Sequence, residues 1–435
     1  MKPNLIFIYT DDQRLDDHRV IVEHVPWAKT LFADWLEFKR GYAPTHLCCP
    51  SRASVLTGLF EHNHSVYDND PPKGGIDGFI KYGHEGDNIA LRLRGGGYRT
   101  ALFGKYLNDK NHAYVGRVPA GWDEWYGITV PTYPSSDQVD EMMAQLLDYV
   151  SRSNGQPFFA YVAPTVPHIP HVPAQRYKGY FGDLPFTPAP SVDEDMQDKN
   201  GDMQSRSRLG PNELNDIQTV RQQRLESLMI VYEMVQKLVE KLAAMGQLEN
   251  TVIVFSSDNG WFYGEHRAGS GKAGPYEESV HMPFFVRMPG VKGGTREHPV
   301  TQVDIAPTFL EFAGLPIPPQ MDGKSLVPLL SANPPSISAW SRPATPFEGI
   351  PWFQGMRYYD GTMDYVYIQN GAFEELYDVA RDPYQLENLV YWWGIPQSSW
   401  PDSVRALRFP NTQEYASIRA TFDRLARCEG EGCKY

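Results

Sequence analysis

Apolar positions along the chain fall into short unbroken runs rather than alternating ones. "NLIFIYT" (4–10), "YRTALFG" (98–104), "FFAYVAP" (158–164), "TVIVFSS" (251–257) and "PFFVRMP" (283–289) are rich in Val, Ile, Phe and Tyr, the signature of strands buried on both faces. Residues 212–246 instead space Leu225, Leu228, Met229, Tyr232, Val235, Leu238 and Leu242 mostly three or four apart, with Gly246 at the end. That predicts a long helix with one apolar face. Non-alternating strands separated by helices predict an α/β fold with a mainly parallel sheet covered on both sides. Residues 169–211, rich in Pro, Asp, Gly and Ser, read as a long surface excursion, and "SANPPSISAWSRPATP" (331–346) as a boundary. Beyond it "MRYYDGTMDYVYIQ" predicts a hairpin turning at Asp360-Gly361, and residues 402–427 a closing helix. The expected division is a large domain over 1–335 and a C-terminal subdomain over 345–435.

Composition narrows the partners. The chain of 435 residues carries 53 acidic and 40 basic side chains, a formal charge of −13, which disfavours nucleic acid because phosphate neutralisation needs basic patches. No apolar run approaches the length of a membrane span. In "MKPNLIFIYTDD" the apolar run starts at Leu5 without a charged n-region or cleavage site before it, so the expectation is a cytoplasmic start or a mature N-terminus. Cys428 and Cys433 in "CEGEGC" suit a disulfide and an oxidising compartment, with free thiols or a metal clip as alternatives.

In open α/β sheets ligands bind beyond the carboxyl ends of the strands. Asp11 and Asp12, Lys105, His168, and Asp258 with Asn259 all follow predicted strands, and all would face one rim. The two acidic pairs supply only oxygen ligands, which suits Ca²⁺ or Mg²⁺ rather than zinc. Taken singly, each pair is also ordinary turn or capping chemistry. "THLCCPSRASVLTG" (45–58) sets two cysteines before Pro50, Ser51 and Arg52. Arg52 and the amides of a starting helix could surround an anion and the side chain at position 48. The alternative is two buried small apolar residues, an adjacent disulfide being too strained. Trp261, Phe262 and Tyr263 read first as packing and second as a stacking surface for a sugar.

The C-x-P-S-R pattern followed by a short helical segment and T-G resembles the signature of the sulfatases, in which the cysteine two residues before the proline is oxidised to formylglycine (3-oxoalanine). Cys48 matches that register and Cys49 is the variable position. The resemblance extends through "IYTDDQ", "YRTALFGKYLN", "APTVPHIP", "RLESLMIVYEMVQKLVEKLAAMGQLENTVIVFSSDNGW", "GKAGPYEESVHMPFFVRMPG", "DIAPTFLEFAG" and "ELYDVARDPYQLENL". With His62-Asn63-His64, "GKYLN" and the terminal cysteine pair, it is most similar to the N-acetylglucosamine-6-sulfatase-like branch.

The resemblance implies an alkaline phosphatase-like α/β fold with a smaller C-terminal subdomain of antiparallel sheet plus helix. It implies hydrolysis of sulfate monoesters, the 6-O-sulfate of an N-acetylglucosamine-type sugar in glycosaminoglycan-like glycans above all. One divalent cation, Ca²⁺ before Mg²⁺, would be held by Asp11, Asp12, Asp258, Asn259 and residue 48. Arg52, Lys105 and Lys272 would supply positive charge and His168 would protonate the leaving alcohol. The implied partners are sulfated carbohydrate and a formylglycine-generating enzyme; the implied location is extracellular or periplasmic for a mature form, cytoplasmic otherwise. One departure stands out. Many sulfatases carry a histidine two residues after this lysine, where this chain has Leu107; Asn108, His64 and His266 are the candidates for positioning substrate in its place. Competing expectations are a broad arylsulfatase, a phosphate or phosphonate ester hydrolase, and a catalytically silent sulfatase-like binding protein.

Overall fold

A computed structural model describes residues 2–114, 116–128, 136–272, 274–291 and 293–435, with backbone alone at 136 and 137. In chain order its strands are β1 (Asn4–Thr10), β2 (Leu36–Tyr42), β3 (Arg99–Lys105), β4 (Glu124–Ile128), β5 (Phe158–Ala163), β6 (Thr251–Ser257), β7 (Phe262–Tyr263), β8 (Ser270–Gly271), β9 (Phe285–Arg287), β10 (Gly294–Thr301), β11 (Ala344–Gly349), β12 (Phe353–Tyr359), β13 (Asp364–Asn370) and β14 (Phe373–Asp378). Eight of them form one sheet in the order β10-β2-β9-β6-β1-β5-β3-β4. Neighbours run parallel except at β9, which is antiparallel to both β2 and β6.

The unbroken apolar runs have a simple cause. Leu5, Phe7 and Tyr9 of β1 face one core, with Leu102, Phe159, Tyr161 and Val254. Ile6 and Ile8 face a second core on the opposite side, with Phe103, Val162, Ile253 and Phe255. A strand covered on both sides has no solvent face on which a polar residue could sit. The second core is roofed by the helix Pro211–Ala244, whose Leu225, Leu228, Met229, Tyr232, Val235, Leu238 and Leu242 are all fully buried. On the other side lies the helix Cys48–Thr57, buried along its entire length.

Three strands of the large sheet, β2, β4 and β10, escaped the hydrophobic pattern. β2 ("LEFKRGY") and β10 ("GTREHPVT") lie at and beside the sheet edge and carry charge on partly exposed positions, so their signal is diluted. The predicted strand at 283–289 is cut to the three residues of β9 between Pro283 and Pro289, which cannot donate to a ladder. The predicted closing helix is two, Asp402–Arg405 and Thr412–Leu425. Pro410 interrupts it, and Asn411 starts the second piece as a capping box: its side chain accepts from the Gln413 and Glu414 amides at 3.0 and 2.9 Å while Glu414 returns a bond to the Asn411 N–H at 2.9 Å.

The C-terminal strands β11 to β14 form a separate antiparallel sheet, and the hairpin β12–β13 turns at Gly361, whose φ is 101°. This sheet grips the larger one at a functionally placed point. The Glu348 N–H of β11 donates to the Pro44 carbonyl at 2.8 Å, and Thr45 bridges Glu348, just ahead of Cys48. Cys428 and Cys433 are disulfide-bonded. No helix of the described residues is long and apolar enough to cross a membrane.

Candidate active site

Parallel strands deliver their carboxyl ends to one rim, and the polar residues that follow them converge there. Asp11 and Asp12 leave β1, Lys105 ends β3, His168 lies in the loop after β5, and Asp258 and Asn259 leave β6. Asp12 adopts a left-handed backbone conformation, φ 74°, uncommon for a residue with a side chain. Its N–H donates to Asp258 Oδ1 at 3.0 Å, and its carbonyl accepts from the Arg224 guanidinium. Arg224, fully buried, also donates to the Pro167 carbonyl at 3.1 Å and to the Tyr263 hydroxyl at 3.0 Å. This arginine clamps the loops after β1 and β5 together. Its signal in the sequence was a charged residue directly ahead of Leu225 on the apolar helix face.

Cys48 opens its helix at the centre of the group. Its thiol lies 3.3 Å from Asp11 Oδ1 and accepts from Lys272 Nζ at 2.7 Å. Lys272 also meets Asp12 Oδ1 at 2.6 Å, and Lys105 Nζ donates to Asp11 Oδ2 at 2.7 Å. Arg52, one helical turn after Cys48, donates from Nε to Asp258 Oδ2 at 2.9 Å and from Nη1 to the Lys105 carbonyl at 2.8 Å. Three carboxylates (Asp11, Asp12, Asp258) therefore face three fixed cations (Arg52, Lys105, Lys272) in a space closed to water on most sides.

The electrostatics follow from that crowding. Burial pushes the Asp11 carboxyl up, yet Lys105, His168, Arg52 and Lys272 together hold it well below the usual carboxylate range. Asp258, buried beside Asp11, is pushed up to about 6 despite Arg52. Burial and the Asp11 charge raise the Cys48 thiol well above its ordinary value against the pull of Lys105 and Lys272. Burial lowers His168 in spite of Asp11 and Asp12. The His168 Nδ1–H donates to the Ile169 carbonyl at 3.0 Å, and Nε2 lies 3.8 Å from Asp12 Oδ2.

The donor set fits a hard cation. Ligand atoms of Asp11, Asp12, Cys48 and Asp258 all lie within 4.8 Å of one another. Asp12 Oδ2 and Asn259 Oδ1 are buried acceptors without a hydrogen-bond donor, a costly arrangement that a bound cation relieves. The Asn259 amide nitrogen is used instead to hold Asp12 Oδ1, at 2.7 Å.

Three expected residues are not brought into this group. His64 is fully buried, with Ser54 Oγ 2.9 Å from Nε2 and the Val66 N–H donating to Nδ1 at 3.0 Å. His266 is fully buried between Glu194 and Glu278 and stacks on Tyr276 at 3.9 Å. Neither has surface to offer a substrate, because the short helix Glu61–His64 and the 3-10 turn Glu265–Arg267 hold both side chains inward. Asn108 uses its N–H on Cys49 Sγ at 3.2 Å and its carbonyl on the Ile76 N–H at 2.9 Å, while its side-chain oxygen is buried without a donor. Cys49 thus packs beside Cys48 rather than sharing its surroundings. Leu107 is buried. Trp261, Phe262 and Tyr263 are buried as well, which makes them packing residues.

Comparison with known proteins gives a consistent result. The family model described as sulfatase matches residues 3–315, and that of the C-terminal part of N-sulphoglucosamine sulphohydrolase matches 264–394. Human N-acetylglucosamine-6-sulfatase is 32% identical over 361 residues, 76% of this chain and 64% of that protein. The chain spans about half the length of the curated relatives it matches. Among solved structures, one described as a complex with its substrate D-glucosamine-2-N,6-O-disulfate superposes with a TM-score of 0.75 at 22% identity, covering 99% of this chain and 100% of that one. A phosphonate monoester hydrolase from Silicibacter pomeroyi gives 0.74 at 22%, covering 99% and 96%. At such identities the two likenesses establish the shared fold.

Proposed function

The chain belongs to the sulfatase family, and we propose that it hydrolyses sulfate monoesters at Cys48, with the 6-O-sulfate of an N-acetylglucosamine-type sugar in glycosaminoglycan-like glycans as its substrate. The observation that carries this reading is the Cys48 side chain, set between Asp11 and Lys272 with Lys105 and Arg52 close behind. The substrate class is supported by the N-acetylglucosamine-6-sulfatase activity of the human relative and by the disulfated glucosamine bound to the structural neighbour.

An unmodified thiol would retain sulfate with no easy exit, so the reading requires oxidation of Cys48 by a formylglycine-generating enzyme. The modified residue supplies a hydrated aldehyde, one hydroxyl to attack sulfur and a second to expel sulfate. Asp11, Asp12, Asp258 and Asn259 would hold a divalent cation, Ca²⁺ before Mg²⁺, which supplies charge neutralisation and a lowered hydroxyl pKa when bound. The remaining work falls to the chain. The three fixed cations balance the three carboxylates, so a bound divalent ion leaves the site net positive and ready for an anionic ester. Arg52 is held rigidly by Asp258, and Lys105 and Lys272 face the sulfate oxygens. His168 protonates the leaving alcohol from Nε2, its ring oriented by the Nδ1–H bond to the Ile169 carbonyl.

We place the catalytic domain at 1–335 and a substrate-facing subdomain at 345–435. The bonded Cys428–Cys433 pair supports an extracytoplasmic location. The test is peptide mass spectrometry across residue 48 after co-expression with a formylglycine-generating enzyme, followed by sulfate release from N-acetylglucosamine 6-sulfate and phosphate release from the matching phosphate ester. Converted Cys48 with faster sulfate release is the expected result. Faster phosphate release would favour a phosphate or phosphonate ester hydrolase, and converted protein that cleaves neither would leave a binding protein.

A further inference from the structure

The grip of the C-terminal sheet on residues 44–45 sets an exposed indole against His46, two residues ahead of Cys48 in the chain. β11 pairs with residues 44–45, and the turn that follows it is tightly held: the Trp352 N–H donates to the Gly349 carbonyl at 2.7 Å and the Ile350 N–H to Glu61 Oε2 at 3.4 Å. The turn sits so close to His46 that a Cβ on Gly349 would come within 2.7 Å of that imidazole and 2.5 Å of the Phe353 ring. Trp352 meets the His46 ring edge-on at 6.5 Å between centroids, and Phe353 lies 5.0 Å from it. His46 stands two residues ahead of Cys48.

Despite this rigid base, Trp352 is 54% exposed. An aromatic face that is anchored on one side and open to water on the other has the geometry to stack on a sugar ring. Resting on the proposed sulfate-ester reading, we propose that Trp352, backed by His46, is the face on which the pyranose ring carrying the sulfate lies, and that it sets the preference of this site for a sugar ester.

The experiment compares wild type with Trp352→Ala and Trp352→Phe on N-acetylglucosamine 6-sulfate. Expected for Trp352→Ala are a KM raised about tenfold, a kcat within twofold, an unchanged Tm and substantial recovery in Trp352→Phe. Calorimetric binding of the same sugar sulfate to both proteins reads the contact without turnover. A chain that binds through Trp352 but does not cleave would overturn the hydrolase reading and leave the platform standing. A Trp352→Ala protein with wild-type KM and affinity would overturn the platform whatever the turnover, and a wild type that does not bind the sugar would overturn both.

Discussion

Replacement of Lys272 by Met removes one ammonium while nearly keeping the side-chain volume. That ammonium lies 2.6 Å from Asp12 Oδ1 and 2.7 Å from Cys48 Sγ, with the side chain 14% exposed. At an effective dielectric of about 20 its attraction to Asp12 is about 6 kcal/mol. Desolvation of both ions offsets most of this, leaving about 1.5–3 kcal/mol for a charge-assisted hydrogen bond. An ammonium that also faces the charge developing on sulfate does more, since removing one such preorganised donor costs about 2.7–4 kcal/mol, or 10² to 10³ in kcat. The assay is initial-rate sulfate release from N-acetylglucosamine 6-sulfate, with formylglycine content at residue 48 matched by mass spectrometry and Tm recorded alongside. The expected outcome is a kcat lowered by about two to three orders of magnitude and a Tm lowered by a few degrees, with Lys272→Arg intermediate. A kcat within about threefold of wild type at equal conversion would refute the assignment, and a fall in Tm alone would make Lys272 a mere counter-ion to Asp12.

Further expectations concern the cation, one buried pair and one histidine. EDTA treatment should lower Tm, and Ca²⁺ at about 100 times its Kd should restore about 2.7 kcal/mol; Asp12→Asn should lose that calcium-dependent rise in a thermal melt. Arg342 is buried against Asp304, with Nη1 at 2.7 Å from Oδ1, so Arg342→Met should cost about 3–5 kcal/mol in urea unfolding. His62 is lowered by burial but raised to about 9 by the Glu348 carboxylate, 2.7 Å from Nδ1, against 6.5 for the free side chain. A raised folded pKa stabilises fully below the unfolded value and is lost as pH climbs through the folded one. Wild type should therefore exceed His62→Gln by about 1–3 kcal/mol below pH 6.5 and by nothing above pH 9, read as the difference between their stability–pH curves.

How far the sequence could be read depended on whether a side chain's role was set by its neighbours in the chain. β1, β3, β5 and β6 were legible because strands covered on both faces must be apolar throughout. Cys48 and Arg52 were legible through the resemblance of C-x-P-S-R to the sulfatase signature; helical spacing alone, four from Cys48 and three from Cys49, does not choose between the cysteines. β2 and β10 were not, since partly solvated strands near an edge tolerate charge. His64 and His266 were expected at the substrate and lie buried in their own polar contacts; a histidine in a polar loop carries the same local signal whether it faces inward or out.

The chain's local chemistry by itself determined which strands form the centre of the sheet and which rim collects the acidic and basic residues, and the resemblance to the sulfatase signature singled out Cys48. The tertiary structure alone decided what those residues touch. The contact of Lys272 with Cys48 spans a separation of 224 residues, Arg224 reaches Asp12 across 212, and the seat of Trp352 beside His46 exists only because β11 pairs with residues 44–45. Periodicity records the burial of a side chain, a one-body property. Pairing of charges and rings is a two-body property between distant segments, and only packing the sheet, the long helix and the C-terminal strands together selects one set of pairs.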